Sequence, residues 1–567
     1  MTKPNNTIVD VARKDKDLSI FVDALTHARL IDKLSSVGRY TVFCASNAVW
    51  KKKLSGDITK VDPQTLTKIL RTHIVPKKIY KAADMSAGLT LHPLFKGETL
   101  TISGFVGKDQ IPVVSVNNQR FTNKLDIMAS NGVIHQIDGI LFPPGLVIDK
   151  KGTTTTLAAL QHWLKTTNGN DEKQKLEDQA FATVSLSKTD DQKAREMLWK
   201  FYQQKIQKDP TRRKEMLEDK RITYEYKNNK YVMPIWYKTH GPKNPPNKGR
   251  SLYISLHGGG GTAVVGQYTS TNNVQWANQK ILYESKNLPI EGIYCAPRAP
   301  TDTWDLWHTP QIYPMLSRLI GNFIIFEQVN PNKVYIMGYS AGGDGTYRLA
   351  SRMADRWAAS AACAGHPGAV TTKEMVDSGC PCTVHVGAND SGSNRNVKAR
   401  QWKTELAKLD PDEKNDYVEI HAGRAHEMKR EEAVVFPWMA QRTRELRPTS
   451  IVWQQQPQNP EQRRFYWLAV ETPTPGTTIT ATRHTNKKNT IEIGDGGGTI
   501  PSGVFRIRLD DQMEQINLEQ KMHIKTASNV VLYEGLAHRT IGTLYTTLVE
   551  REDPTGMFST EIEIKIG

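Results

Sequence analysis

At 567 residues, with 38% hydrophobic and 24% charged side chains, the chain is too long for one compact core and too ordinary in composition for a collagen-like, low-complexity or membrane-spanning class. Several globular units are expected. The formal net charge of +16 could point to an acidic partner, but the basic residues mostly stand singly among acids and no like-charged run is longer than the three of Lys51-Lys52-Lys53. No base-reading motif accompanies them, so nucleic-acid binding is disfavoured.

Five cysteines, Cys44, Cys295, Cys363, Cys380 and Cys382, are too few and too dispersed for a secreted disulfide framework. The first residues lack the apolar stretch of a signal peptide. A cytoplasmic or other intracellular location is the expectation, with an extracellular one only if a leader has been removed.

In chain order, residues 1–148 alternate amphipathic helical stretches (LSIFVDALTHARLIDKL, PQTLTKILRTHIV) with strand-like runs (YTVFCAS, TLTISGFV, PVVSVN, GVIHQIDGILF) and stop at a Pro-Pro-Gly break. This predicts an α+β module in which Val133, Ile134, Ile137 and Ile140 line a buried strand after a turn at Asn131-Gly132. His73 and His135 lack cysteines or carboxylates at ligand spacing and read as core histidines.

Three stretches of that region, TVFCASNAVW, LRTHIVPKKIY and SNGVIHQIDGILFPP, resemble the fasciclin-like domain in order and spacing, although Ala45 stands where that family usually has proline. The resemblance implies a binding or adhesion module with a protein partner, and such modules are usually found outside cells.

Residues 149–219 read as a helical connector, with LAALQHWLKTT and DDQKAREMLWKFYQQKI flanking a loop around Asn168-Gly169-Asn170. From 220 to 447, apolar runs (SLYISLHG, GIYCAP, KVYIMGYS, AASAACAG, CTVHVGAN, YVEIHAG) alternate with helical stretches, the pattern of an α/β unit with a mostly parallel sheet covered on both faces. Residues 448–567, rich in Ile, Val, Thr and Tyr between turn clusters, suggest an all-β, sandwich-like appendage.

Chemistry concentrates in the third region. Gly338-Tyr339-Ser340-Ala341-Gly342 follows the strand VYIMG and precedes a helix, a turn that would expose Ser340 as a nucleophile. His257-Gly258-Gly259-Gly260-Gly261 follows an earlier strand, and its glycines Gly259 and Gly260, with the N–H of Ala341, are candidate oxyanion donors. Asp390 and His426 each follow a later strand, where catalytic groups gather in parallel sheets. His426 would act as the base and Asp390 would orient it. Asp412 or Asp416 could replace the acid, and His421 the base.

The motifs HGGGG, GYSAGG, GANDSGSNRN and AGRAHEM, in that order, resemble an α/β-hydrolase of the polyhydroxybutyrate-depolymerase-like and feruloyl-esterase-like group. This implies serine-dependent hydrolysis of an ester, with an amide or peptide bond as a variant, and requires no cofactor and no metal. By the same resemblance Trp304, Trp307 and His308 are candidate substrate-pocket residues, with core packing as the competing use of their rings; His366 is a further candidate. Cys380 and Cys382 read as packing, and the glycine cluster at 494–498 as a hairpin turn. The rival reading is a scaffold or adhesion protein in an assembly, with the hydrolase unit kept as a fold.

Overall fold

The computed structural model describes residues 6–566 apart from 55–57, 59–60, 62, 96–98, 107–111, 118, 144–145, 150–151, 167–174, 260–270, 285–287, 289, 304, 413–414, 457–461 and 495–501. In the amino-terminal module, four strands pair in the order Ile74–Pro76, Tyr40–Ala45, Gly132–Ile137, Ile127–Ala129. The helices Ile8–Lys14, Ser19–His27 and Pro63–Thr72 pack their apolar faces on this sheet, joining Phe21, Leu25, Leu66 and Ile69 to Val42 and Ile134 in one buried core. Val133, Ile137 and Ile140 are buried as their spacing implied. Asn131 does more than turn the chain: its side chain accepts from Ile8 N at 2.8 Å and donates to the carbonyls of Leu34 and Ser36 at 2.8 and 2.9 Å.

His73 and His135 are core residues. His73 bridges the Phe43 carbonyl (2.7 Å) and the Leu141 N–H (2.8 Å), which forces the neutral ring, and burial holds it down at about 4.

The hairpin Leu146–Asp149 and Gly152–Thr155 leads into the helices Thr156–Thr166 and Lys188–Lys208. The longer helix buries Ala194, Leu198 and Tyr202 in a core shared with Leu544 and Leu548 near the carboxyl end. Among the described residues no helix is long and apolar enough to cross a membrane.

The central unit is an eight-stranded sheet: β1 (Arg221–Tyr226), β2 (Asn229–His240), β3 (Arg250–Leu256), β4 (Gly292–Pro297), β5 (Val329–Tyr339), β6 (Ala359–Cys363), β7 (Cys382–Gly387) and β8 (Tyr417–His421). The order across it is β1-β2-β4-β3-β5-β6-β7-β8. β1, β2 and β4 pair antiparallel, and β4, β3, β5, β6, β7 and β8 run parallel. Alternation along the strands feeds two separate cores, as a sheet buried on both faces requires. Leu252, Ile254, Val334 and Ile336 join the helix Ile312–Phe326 on one face. On the other, Tyr253 stacks between Tyr294 and Tyr335 at 4.9 Å centroid separation and packs on Phe436.

The carboxyl-terminal region departs from the all-β expectation. Its strands fall into two sheets, but they are joined by the helix Ile541–Arg551. Thr540 caps that helix by accepting from Thr543 N at 3.2 Å, and Ile541, Leu544 and Leu548 bury against the connector helices. The larger sheet is also continuous with the amino-terminal module: Val531–Gly535 pairs antiparallel with Leu100–Val106. Arg120 reaches Glu563 at 2.6 Å and Ser103 Oγ meets the Tyr533 hydroxyl at 3.5 Å across the same junction.

Candidate active site

β5 ends at Tyr339, and the next helix, Ala341–Arg352, begins after a single intervening residue. That residue, Ser340, sits at φ 58° and ψ −123°, a strained conformation for a side chain with a Cβ. The turn closes only because its flanks are glycines. A Cβ on Gly338 would stand 2.1 Å from the Gly342 carbonyl, and one on Gly342 would stand 2.0 Å from that of Leu256. Ser340 N donates to Cys363 O and Ser340 O accepts from Asp344 N, both at 3.0 Å, so backbone bonds on either side hold the strain.

Ser340 Oγ lies 3.0 Å from His426 Nε2, and His426 Nδ1 lies 2.8 Å from Asp390 Oδ2. The three residues come from loops past the carboxyl ends of β5, β8 and β7. Asp390 is 2% exposed and His426 46% exposed, so the carboxylate is shielded while the imidazole faces the approach to the serine. The two loops are tied to each other: Ala388 N donates to His421 O at 2.9 Å and Asn389 N to Arg424 O at 2.8 Å.

The alternative partners lie elsewhere. Asp416 is buried at the start of β8, accepting from Cys382 N at 2.9 Å, and burial pushes its carboxyl up to about 7. Asp412 is exposed in the loop before that strand. His421 Nε2 contacts His385 Nδ1 at 3.0 Å and its Nδ1 lies 3.2 Å from Glu431. His366 anchors its own turn, its N–H donating to Asp344 Oδ1 at 2.6 Å.

The glycine loop after β3 passes directly beside the serine, a Cβ on Gly258 falling 3.0 Å from Ser340 Cβ. Gly259 follows at φ 117°, which turns the backbone in a way that favours glycine, and lines a cavity of about 270 Å³ with Ser340, His426, Tyr339 and Gln275. Ala341 opens the helix, so its N–H lacks an intrahelical acceptor. Gly260 lies outside the described residues.

His257 braces this loop from below. Its Nε2 accepts from Ala299 N at 3.0 Å, so its Nδ1 carries the proton given to the Gly258 carbonyl at 2.7 Å; burial lowers its pKa to about 4. Trp307 is 0% exposed and belongs to the packing: its indole N–H donates to His257 O at 2.9 Å, and it fills the space Gly345 leaves under the helix, where a Cβ would meet it at 2.5 Å. His308 does not line the described cavity around Ser340; burial, followed by Arg348, lowers it to about 4. Trp304 lies outside the described residues.

Two features carry no sequence motif. Tyr339 donates its hydroxyl proton to the His426 carbonyl and accepts from Met428 N at 3.2 Å. The segment 427–430 and Glu432 wall the cavity on the His426 side, with Lys429 and Arg430 both at positive φ (52° and 67°). A histidine followed by charged residues in a turn was the available signal. All five cysteines are buried free thiols. Among the described residues no group of three or more His, Cys, Asp or Glu forms a metal-holding cluster. Of the 494–498 cluster only Gly494, ending a strand, is described.

The family model for the Fasciclin domain matches residues 16–143. Protein sll1483 of Synechocystis is 34% identical over 142 residues, 24% of this chain and 74% of that protein. The rabbit transforming growth factor-beta-induced protein ig-h3 is 28% identical over 177 residues, 28% of this chain. The match spans only 23% of the rabbit protein's length. Among solved structures, a thermostable esterase aligns at 16% identity and TM-score 0.30 over 40% of this chain and 62% of its own. A poly(3-hydroxybutyrate) depolymerase from Bordetella parapertussis aligns at 15% identity and TM-score 0.28 over 39% and 90%.

Proposed function

The chain belongs to the fasciclin family through residues 16–143, and we propose that the α/β unit carried with that domain is a serine esterase, a carboxylic ester hydrolase working through an acyl-enzyme. The observation that carries this reading is the hydrogen-bonded chain Ser340, His426, Asp390 at 3.0 and 2.8 Å, with the serine on a strained strand-to-helix turn. The strand order β1-β2-β4-β3-β5-β6-β7-β8 with an antiparallel β2 is that of α/β-hydrolases and supports the same reading.

In the acylation step His426 Nε2 takes the proton from Ser340 Oγ as the oxygen attacks the ester carbonyl. Asp390 accepts from Nδ1–H, fixes the tautomer and stabilises the imidazolium. Negative charge builds on the carbonyl oxygen, and the N–H groups of Ala341 and Gly259 are the donors we assign to it, with Gly260 a further candidate. Collapse breaks the bond to the alcohol, whose oxygen takes the proton from His426. Water then attacks the acyl-serine with His426 again as base, releasing the acid and restoring Ser340. We assign to the fasciclin domain the binding of a protein partner.

The test is activity-based labelling. A fluorophosphonate should label the full chain and not Ser340→Ala, whose hydrolysis of p-nitrophenyl acetate should fall by about 10⁴-fold or more. Undiminished hydrolysis by a folded Ser340→Ala protein overturns the reading.

A further inference from the structure

Away from Ser340, a cavity of about 710 Å³ lies between the helix Ile312–Phe326 and residues 353–356 of the central unit, and the strands and helix of the carboxyl-terminal region. Seven arginines line it against four carboxylates, Asp355, Glu471, Glu550 and Glu552. Three of those carboxylates are already engaged. Asp355 is paired with Arg551 and accepts from Tyr466 N. Glu550 takes Arg508 through both oxygens, at 2.7 and 3.0 Å, and lies 3.1 Å from Arg464. Glu552 takes Arg212, which is not part of the lining, at 2.7 Å through both oxygens.

Arg356 is left over. Its residue is 1% exposed, yet its guanidinium gives protons only to carbonyls, Arg551 O at 3.0 Å and Ser317 O at 3.5 Å. Its Nε has no acceptor among the described residues. Burial, and after it the nearby charge of Arg551, lowers Arg356 to about 10. The two carboxylates that act on it, Asp355 and Asp553, are bound to Arg551 and Arg444, and a buried cation whose counter-charges are taken by other groups is costly unless something else supplies one. An unmatched positive charge on the open surface is screened by water and salt; Arg356, at 1% exposure, is screened far less.

We propose that this cavity binds a small solute bearing a multiply charged oxyanion, phosphate or clustered carboxylate, whose oxygens engage Arg356 and the spare donors around it. The planar fork of arginine matches either group bidentately. The volume lies within the range of about 300–1,000 Å³ usual for small-molecule sites and leaves room for more than the anionic group. Ion pairs with Asp355, Glu550, Glu215 and Glu561 hold Arg551, Arg464, Arg508, Arg318 and Arg506 in place, so the lining is set before the ligand arrives and Arg356 and Arg463 are left to meet it. Because both the central and carboxyl-terminal regions line the cavity, an occupant joins them and stabilises the folded chain.

Calorimetric titration and melting of the full chain test this, with inorganic pyrophosphate and citrate as probes against sodium chloride at matched ionic strength. Saturable binding of pyrophosphate or citrate, with a rise in melting temperature beyond the chloride control, is expected; the tighter probe identifies phosphate or carboxylate as the group selected. Arg463→Gln, at an exposed position of the same lining, should weaken the tighter probe about tenfold, the loss of one charge-assisted hydrogen bond. Arg356→Met should melt at or above the unchanged chain without anion and gain nothing from it. The proposal falls if neither anion exceeds chloride, or if Arg463→Gln and a folded Arg356→Met bind like the unchanged protein. If Arg356→Met does not fold, unaltered affinity in Arg463→Gln alone is sufficient to discard it.

Discussion

The hydroxyl of Tyr339 holds the backbone of His426: it donates to the His426 carbonyl and accepts the Met428 N–H at 3.2 Å, while the two rings pack edge to face at 5.8 Å. The residue that ends β5 therefore fixes the loop bearing His426 opposite the serine that follows it. Tyr339→Phe keeps the ring contact and removes both hydrogen bonds. Since small misplacements of reacting groups can cost about a hundredfold, turnover should fall roughly ten- to a hundredfold. The melting temperature should move little, because one net hydrogen bond is worth about 0.5–1.5 kcal/mol. Wild-type turnover in Tyr339→Phe would show that the loop is held by other contacts.

The strain at Ser340 can be measured apart from its chemistry. Ser340→Ala and Ser340→Gly both lack the hydroxyl, but only glycine adopts φ 58° and ψ −123° without steric cost. Relief of strain of about 1–3 kcal/mol exceeds the entropic disadvantage of glycine, about 0.5–1 kcal/mol. Ser340→Gly should therefore be the more stable of the two variants in urea. If alanine proves the better residue, the turn is not strained.

Two acids near the ends of the same strands separate position from chemistry. Asp390→Asn preserves shape but offers His426 Nδ1 an amide instead of a carboxylate, and turnover should drop by about 10⁴-fold. Asp416 accepts from Cys382 N at the far end of β7 and β8. An asparagine can accept the same bond, so Asp416→Asn should hydrolyse esters normally. Equal losses in the two variants would remove Asp390 from the proposed machinery.

The contrast between these acids also indicates what the sequence exposes. Six strands of the central sheet are legible because a parallel strand buried on both faces is a short continuous apolar run, and the serine, acid and histidine follow such runs directly. The β1–β2 hairpin is not legible: its strands mix Tyr and Ile with exposed Lys and Glu, and its turn uses Lys227 and Asn228 at φ 47° and 63° where a glycine would have announced it. The helix Ile541–Arg551 is hidden for a different reason. Its Thr and Ile content favours strand locally, and burial of Leu544 and Leu548 against Leu198 and Tyr202 overrides that preference. Tyr339 escapes because its partners are backbone atoms 87 and 89 residues away, which no local pattern encodes. Trp307 shows the converse: an aromatic in a suggestive segment goes to the core because Gly345 makes room for it.

Acid stability follows from the buried histidines. Burial lowers His73 and His257 to about 4 and His385, which touches Thr383 at 2.9 Å and His421 at 3.0 Å, to about 3. The folded protein then binds fewer protons than the unfolded chain once the pH drops below the unfolded value of about 6.5. Stability is complete above that value and declines as pH falls toward 4. Asp416 acts in the opposite sense: burial raises its carboxyl to about 7, so the folded state retains a proton that the unfolded chain releases near 4, and this group favours folding more at pH 4 than at pH 7. Burial also raises the carboxyls of Asp344 and Glu432, but it lowers His308 and His538 to about 4 as well, so five histidines outnumber three carboxyls and urea midpoints should fall between pH 6.5 and 4. Replacing Asp416 by asparagine removes its part of the opposing contribution. Asp416→Asn should match or exceed the unchanged protein at pH 7.5 and lose stability more steeply on acidification. Identical slopes for the two proteins would mean that Asp416 titrates in the folded chain as it does in water.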